Sequence, residues 1–179
     1  MPLPIAIPAS LERDLEATRL PRSMLQAASR QGCPVAAIKA RLKAAGLRPT
    51  RQRMILGWLL FAGGDRHITA EALFGEVTRV QGHLSLATVY NTLNQFRESG
   101  LIRQVPTGGG RAVFDTNTGD HHHYLVEADG TILDMPADLV PAFPHPPAPE
   151  GYRVVGVDVV VRLERLPEAN AAFPASDEG

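Results

Sequence analysis

The sequence predicts an α+β protein, with an N-terminal winged helix-turn-helix followed by a small C-terminal α/β or mainly β module. Three observations predict it. Apolar residues recur at helical spacing in successive segments up to Gly100, and a short hairpin with a glycine run at its tip follows them. Beyond Asp115 the texture changes to short alternating runs and a proline-rich stretch. Charge is also divided. Between Ala36 and Arg111 there are 11 Lys/Arg against 4 Asp/Glu, whereas the whole chain carries a formal net charge of −1. A basic middle with acidic flanks is the electrostatic footprint of a nucleic-acid binder, although ordinary surface solubilisation produces the same division.

The elements follow in order. Residues 1–34 read as an N-terminal extension, with a helix from Ser10 interrupted at Pro21 and a break at Gly32-Cys33-Pro34. Residues 35–115 read as the winged-helix unit. Val35, Ile38 and Leu42 form a helical stripe that ends at Gly46. Met54, Ile55, Trp58, Leu59 and Phe61 form the next, with Pro49 in its first turn. Thr69 is the expected N-cap of a third helix carrying Leu73, Phe74 and Val77. Ser85 opens a fourth, with Val89, Leu93 and Phe96 inward and Gly100 as its stop. Leu101–Val105 and Arg111–Phe114 are the wing strands around Gly108-Gly109-Gly110. Residues 116–166 read as a second module, with strands at His121–Val126 and Thr131–Asp134 about an Ala128-Asp129-Gly130 turn. Its last strand spans Tyr152–Glu164. Six prolines between Pro136 and Pro149 exclude a long regular helix there. Residues 167–179 read as a polar tail.

The Ser85–Gly100 helix has the chemistry of a DNA reader. Such a helix docks by an apolar face and presents small or hydrogen-bonding side chains near its N-terminus. Ser85, Ala87, Thr88, Tyr90 and Asn91 meet that need. Asn91 suits adenine, and the Thr88 methyl suits a thymine methyl. No acidic residue occupies the first three turns. Arg51, Arg53 and Arg111, with Arg97 as a further candidate, supply phosphate contacts, and Arg48 suits a minor groove. A helix that merely packs against its neighbours is the plainer alternative.

Four segments carry a family resemblance. Leu47-Arg-Pro-Thr-Arg-Gln-Arg, His67-Ile-Thr-Ala-Glu-Ala-Leu-Phe, Ser85-Leu-Ala-Thr-Val-Tyr-Asn-Thr-Leu-Asn-Gln-Phe and Phe114-Asp-Thr-Asn resemble the ferric uptake regulator family. More narrowly, Gly32-Cys33-Pro34, His121-His122-His123-Tyr124 and Gly151-Tyr152 resemble its iron response regulator branch, known from alphaproteobacteria. The resemblance covers roughly residues 30–165. It implies a homodimer with a C-terminal dimerisation domain, bound to double-stranded operator DNA of iron-metabolism and haem-biosynthesis genes. It also implies that Arg48, Tyr90 and Asn91 stand at DNA-contact positions.

The histidine tract carries the sensing chemistry. Neutral imidazole is the commonest protein ligand for transition metals and haem iron. On a strand, His121 and His123 share one face and His122 takes the other. By the resemblance, His67, Asp115 and His122 stand at sensor-ligand positions and Glu164 near a second-site ligand. Tyr124 stands where the family often has another histidine, which departs from simple inheritance of that site. A solvated loop with incidental metal affinity is the alternative for the tract; His83 and His145 read as surface residues. Cys33-Pro34 is the dipeptide of haem regulatory motifs: a thiolate can ligate ferric haem while proline turns the chain. Many Cys-Pro pairs do nothing, so a core filler is the competing role. Since Cys33 is the only cysteine, an intramolecular disulfide and the family's structural zinc on two Cys-x-x-Cys pairs are both excluded.

Two functions of one fold follow. The first is an iron- or haem-responsive regulator, with regulatory haem at His121, His122, His123 and Cys33, and a haem-delivering enzyme as a further partner. The second is a divalent-metal sensor for Fe, Mn or Zn without haem control. An enzyme is disfavoured: no Cys–His–Asp nucleophile arrangement, H-E-x-x-H or phosphate-binding glycine loop is present. No apolar run approaches the ~18 residues of a membrane span. The proline-rich N-terminus lacks the basic region of a signal peptide, so a cytoplasmic location without membrane attachment is expected.

Overall fold

The computed structural model describes residues 34–80, 83–108, 111–136, 139 and 147–166. Cys33, His145 and the expected helices before Gly32 lie outside the described residues. The chain divides into two compact units, with the boundary between Gly119 and Asp120.

Among the described residues the first unit comprises four helices and a three-stranded sheet. Helix α1 spans Pro34–Ala44 and α2 spans Arg51–Phe61. Strand β1 covers His67–Thr69, α3 covers Ala70–Arg79 and α4 covers Leu86–Glu98. Strands β2 (Arg103–Val105) and β3 (Val113–Asp115) form the wing. Their core is one cluster in which Leu42, Ile55, Leu60, Leu73, Leu93 and Phe96 are fully buried. Burying such a side chain contributes roughly 1.5–3 kcal/mol, so the stripes read from the sequence supply the main driving force.

Local chemistry sets the ends of the helices. Ser85 accepts the Thr88 N–H at 3.1 Å, and Thr69 accepts the Ala72 N–H at 3.2 Å, both as N-caps. Gly46 and Gly100 take φ of +74° and +73°. Leu47 N–H bonds the Leu42 carbonyl and Leu101 N–H bonds the Phe96 carbonyl, closing α1 and α4 with glycine in the left-handed position. Two expectations change. Pro49 lies before the α2 cap, Thr50, and not within the first turn. His67–Thr69 forms a strand that the helical reading missed. It adds to the outer side of β3, giving the order β1-β3-β2, all antiparallel. Three residues are too few for periodicity to announce them.

The second unit is a sheet of β4 (His123–Val126), β5 (Ile132–Asp134) and β6 (Val160–Leu163), in the order β5-β4-β6. β4 is antiparallel to β5 and parallel to β6. The turn between β4 and β5 is the expected one: Gly130 has φ +73° and Thr131 N–H donates to Asp129 Oδ1 at 2.9 Å. No α-helix occurs among the described residues of this unit. Among the described residues the last strand is shorter than Tyr152–Glu164, pairing with β4 over Val160–Leu163.

Candidate nucleic-acid interface and metal-donor groups

Helix α4 presents the face expected of a reading helix. Val89, Thr92, Leu93 and Phe96 are buried, whereas Ser85, Ala87 and Asn91 are exposed and Thr88 and Tyr90 half-buried. Ser85 and Thr88 are not independent, because their hydroxyls lie 2.8 Å apart and the Ser85 oxygen caps the helix. The first turn of α4 holds no acidic residue. A carboxylate nevertheless arrives from another helix: the Tyr90 hydroxyl donates to Glu71 Oε1 at 2.7 Å. This bond holds the Glu71 carboxyl below its ordinary range and raises the Tyr90 phenol above its own. It therefore persists between acid pH, where Glu71 protonates, and alkaline pH, where Tyr90 ionises.

The arginines divide by role. Arg111 is exposed on the wing and Arg48 is exposed ahead of α2. Arg51 opens α2, half-buried. Arg53 is engaged within the protein: Nε and Nη2 donate to Gln95 Oε1 at 3.2 and 3.0 Å, and Nη1 donates to the Arg48 carbonyl at 2.9 Å. These bonds tie the Arg48 backbone to α4. Arg97 bonds Gln104 Oε1 at 3.1 Å across to β2.

Metal-donor side chains occur in both units. In the first, His67 and Asp115 are cross-strand partners, with His67 Nε2 3.8 Å from Asp115 Oδ1. The Asp115 carboxylate is buried, at 1% exposure. Burial of an anion is tolerated only with partners. Arg103 Nε donates to its Oδ2 at 3.0 Å and Asn117 N–H to its Oδ1 at 2.8 Å.

In the second unit, His121 and His123 share a face, as strand alternation predicts, and their rings meet edge-on with centroids 4.6 Å apart. Both face Asp134 Oδ1, at 3.1 Å from His121 Nε2 and 3.8 Å from His123 Nε2. One donor atom of each of these three residues lies within 4.8 Å of the others. Two imidazoles and a carboxylate suit Fe, Mn or Zn, whose bonds to such donors run about 2.0–2.2 Å. The donor set fits a compact ion. His123 is 1% exposed, which does not suit the open axial position of a haem.

His122 and Glu164 stand apart from this group. His122 has its Nδ1 buried and without a hydrogen-bond partner among the described residues; its carbonyl accepts the Met135 N–H. Glu164 is exposed just beyond β6. Sequence reading missed Asp134, although counting outward from the Asp129-Gly130 turn places it opposite His123. Glu71 had no such local signal, because it meets Tyr90 through helix packing.

Comparison with known proteins agrees with this architecture. The Ferric uptake regulator family pattern matches residues 44–161. The chain is 35% identical over 100 residues to the ferric uptake regulation protein of Vibrio cholerae, covering 55% of this chain and 67% of that protein. It is 39% identical over 95 residues to the peroxide operon regulator of Bacillus subtilis, covering 52% of this chain and 64% of that one. The solved structure of the ferric uptake regulator from Pseudomonas aeruginosa with manganese superposes with a TM-score of 0.56 at 26% identity. That match covers 72% of this chain and 97% of the other. Among the described residues no helix is long and apolar enough to cross a membrane. The family pattern spans well over half of the sequence, so this chain belongs to the ferric uptake regulator family, a family of metal-responsive transcription regulators and not of enzymes.

Proposed function

We propose that this protein is an iron-responsive transcription regulator that binds operator DNA as a homodimer, with α4 in the major groove and Arg111 and Arg51 on phosphates. Ser85, Ala87, Thr88, Tyr90 and Asn91 form the reading edge, and Arg48 reaches the minor groove. The observation that carries the sensing part is the His121–His123–Asp134 donor group, two imidazoles and a carboxylate within 4.8 Å. His67 and Asp115 are the donor pair of the first unit. A divalent ion at these donors supplies fixed positive charge that neutralises the carboxylates and favours one arrangement of the chain over another. Such an ion changes DNA affinity only through a difference in its own affinity for the two arrangements. The manganese bound by the Pseudomonas aeruginosa relative supports this reading.

The homodimer is supported by the second unit's surface. β6 lies at a sheet edge, and Tyr152 and Val155 are 78% and 86% exposed, with Val154, Val157 and Val161 also exposed. Apolar surface of this extent beside an open sheet edge suits a second copy of the chain.

Haem control is a second reading. It rests on His122, which lies apart from the donor group, and on the Cys33-Pro34 dipeptide. In this reading a haem-delivering enzyme is a further partner, and Glu164 belongs to neither ligand set.

One experiment tests both readings. DNA selected by the protein from a random pool is titrated with protein as isolated, after chelation, and with Mn²⁺, Fe²⁺, Zn²⁺ or haem added. Chelation is expected to lower affinity at least about tenfold, equivalent to ~1.4 kcal/mol, and metal to restore it. The His121→Ala/His123→Ala variant is expected to stay low with any metal. Affinity indifferent to chelator and to all three metals overturns metal control. Loss of binding on haem addition, abolished by His122→Ala, establishes haem control instead.

A further inference from the structure

Among the described residues Glu71 is the acidic side chain that bonds into the reading edge of α4. It sits in the first turn of α3, and its Oε1 receives the Tyr90 hydroxyl at 2.7 Å. Helices α3 and α4 thus meet at one carboxylate.

Hydrogen-bond polarity follows. An ionised carboxylate only accepts, and a tyrosine hydroxyl has a single proton. Once that proton is committed to Glu71, the phenolic oxygen can only accept from anything else. The major-groove edges that donate are the amino groups of adenine and cytosine; those of guanine and thymine offer acceptors at the equivalent positions. A Tyr90 freed from Glu71 could donate, and this distinction would vanish.

We infer that Glu71 is a specificity-determining positioning residue: by holding the Tyr90 proton it makes Tyr90 a reader of amino-bearing bases. The inference rests on α4 being the DNA-reading helix. It assigns Glu71 no contact with DNA. A carboxylate on this surface opposes phosphate binding, so its presence weakens general affinity while sharpening choice at one base.

The test is selection from a random DNA pool followed by affinity measurement on single-base variants of the selected site. Wild type, Glu71→Ala, Glu71→Asp and Tyr90→Phe are compared. Wild type is expected to prefer adenine or cytosine at one position per half-site by about fivefold, the worth of a single hydrogen bond. Glu71→Ala, which removes the acceptor, and Tyr90→Phe are each expected to flatten that preference at the same position and leave other positions unchanged. Combining them is expected to add nothing further. Glu71→Asp keeps the charge but shortens the reach, and is also expected to flatten it. A uniform affinity change in Glu71→Ala with the base profile intact overturns the inference while leaving DNA reading by α4 standing. Retention of the profile by Glu71→Asp alongside its loss in Glu71→Ala assigns the effect to charge and likewise overturns it. Failure of wild type to select any sequence overturns the DNA-reading assignment itself.

Discussion

Asp115 shows how much one residue can be asked to do. We propose it as a metal donor, and its carboxylate already answers to Arg103, the Asn117 N–H and His67. Removing one partner of a buried pair leaves the other uncompensated, at a cost of roughly 3–5 kcal/mol. Asp115→Ala is therefore expected to lose about 3 kcal/mol in urea unfolding of metal-free protein, the lower end because Arg103 is partly exposed. Asp115→Asn, which still accepts the Asn117 N–H, is expected to lose less. Equal stability of Asp115→Ala and wild type without metal would show that the residue serves only the ion. Arg53 has the same layering of roles. A basic residue at the start of a helix next to a reading head suggests phosphate, and its guanidinium also bonds Gln95 and the Arg48 carbonyl. Charge and position in sequence do not disclose such bonds.

At the scale of elements, close approach of α1 and α2 depends on Gly57. A Cβ there would stand 2.9 Å from Ile38 Cγ2, a branched and packed methyl that cannot easily retreat. Gly57→Val is expected to destabilise the first unit by about 2 kcal/mol, as overpacking does, read as a lowered urea midpoint with an unchanged slope. Retained stability would mean that α1 can shift without loss. The described helices of this unit were legible in sequence because each has an apolar stripe, with a cap or a stop beside three of them. Ser85 with Gly100 and Thr69 with Leu73 and Val77 are complete local signals. The three-residue strand β1 was not, since its pairing with Val113–Asp115 is visible only from the far strand. The donor group was half legible: the histidines announce themselves, whereas Asp134 enters through strand register. Tyr152–Val159 alternates like a strand but, among the described residues, meets the sheet only at its last position, where the Val159 carbonyl accepts the His123 N–H.

For the molecule as a whole, the separation of charge matters more than its sum. The first unit holds the basic stretch, although the chain as a whole is close to neutral. Each phosphate neutralised contributes about −0.9 to the slope of log affinity against log salt. Arg111→Ala is expected to weaken binding evenly across DNA sequences and to reduce that slope by about 1 per protomer. An unchanged slope would remove the wing from the phosphate contacts. The placement of His67 has a further bearing on how such proteins can be recombined. It begins the segment His67-Ile-Thr-Ala-Glu71, which holds in five residues a metal donor, a core side chain, the cap of α3 and the partner of Tyr90. Asp115, its cross-strand neighbour, closes the strand that descends from the wing. A chimera joined to a relative at the Gly119–Asp120 boundary would therefore inherit one donor set from each parent, and a new ion preference could not be transplanted by exchanging the second unit alone.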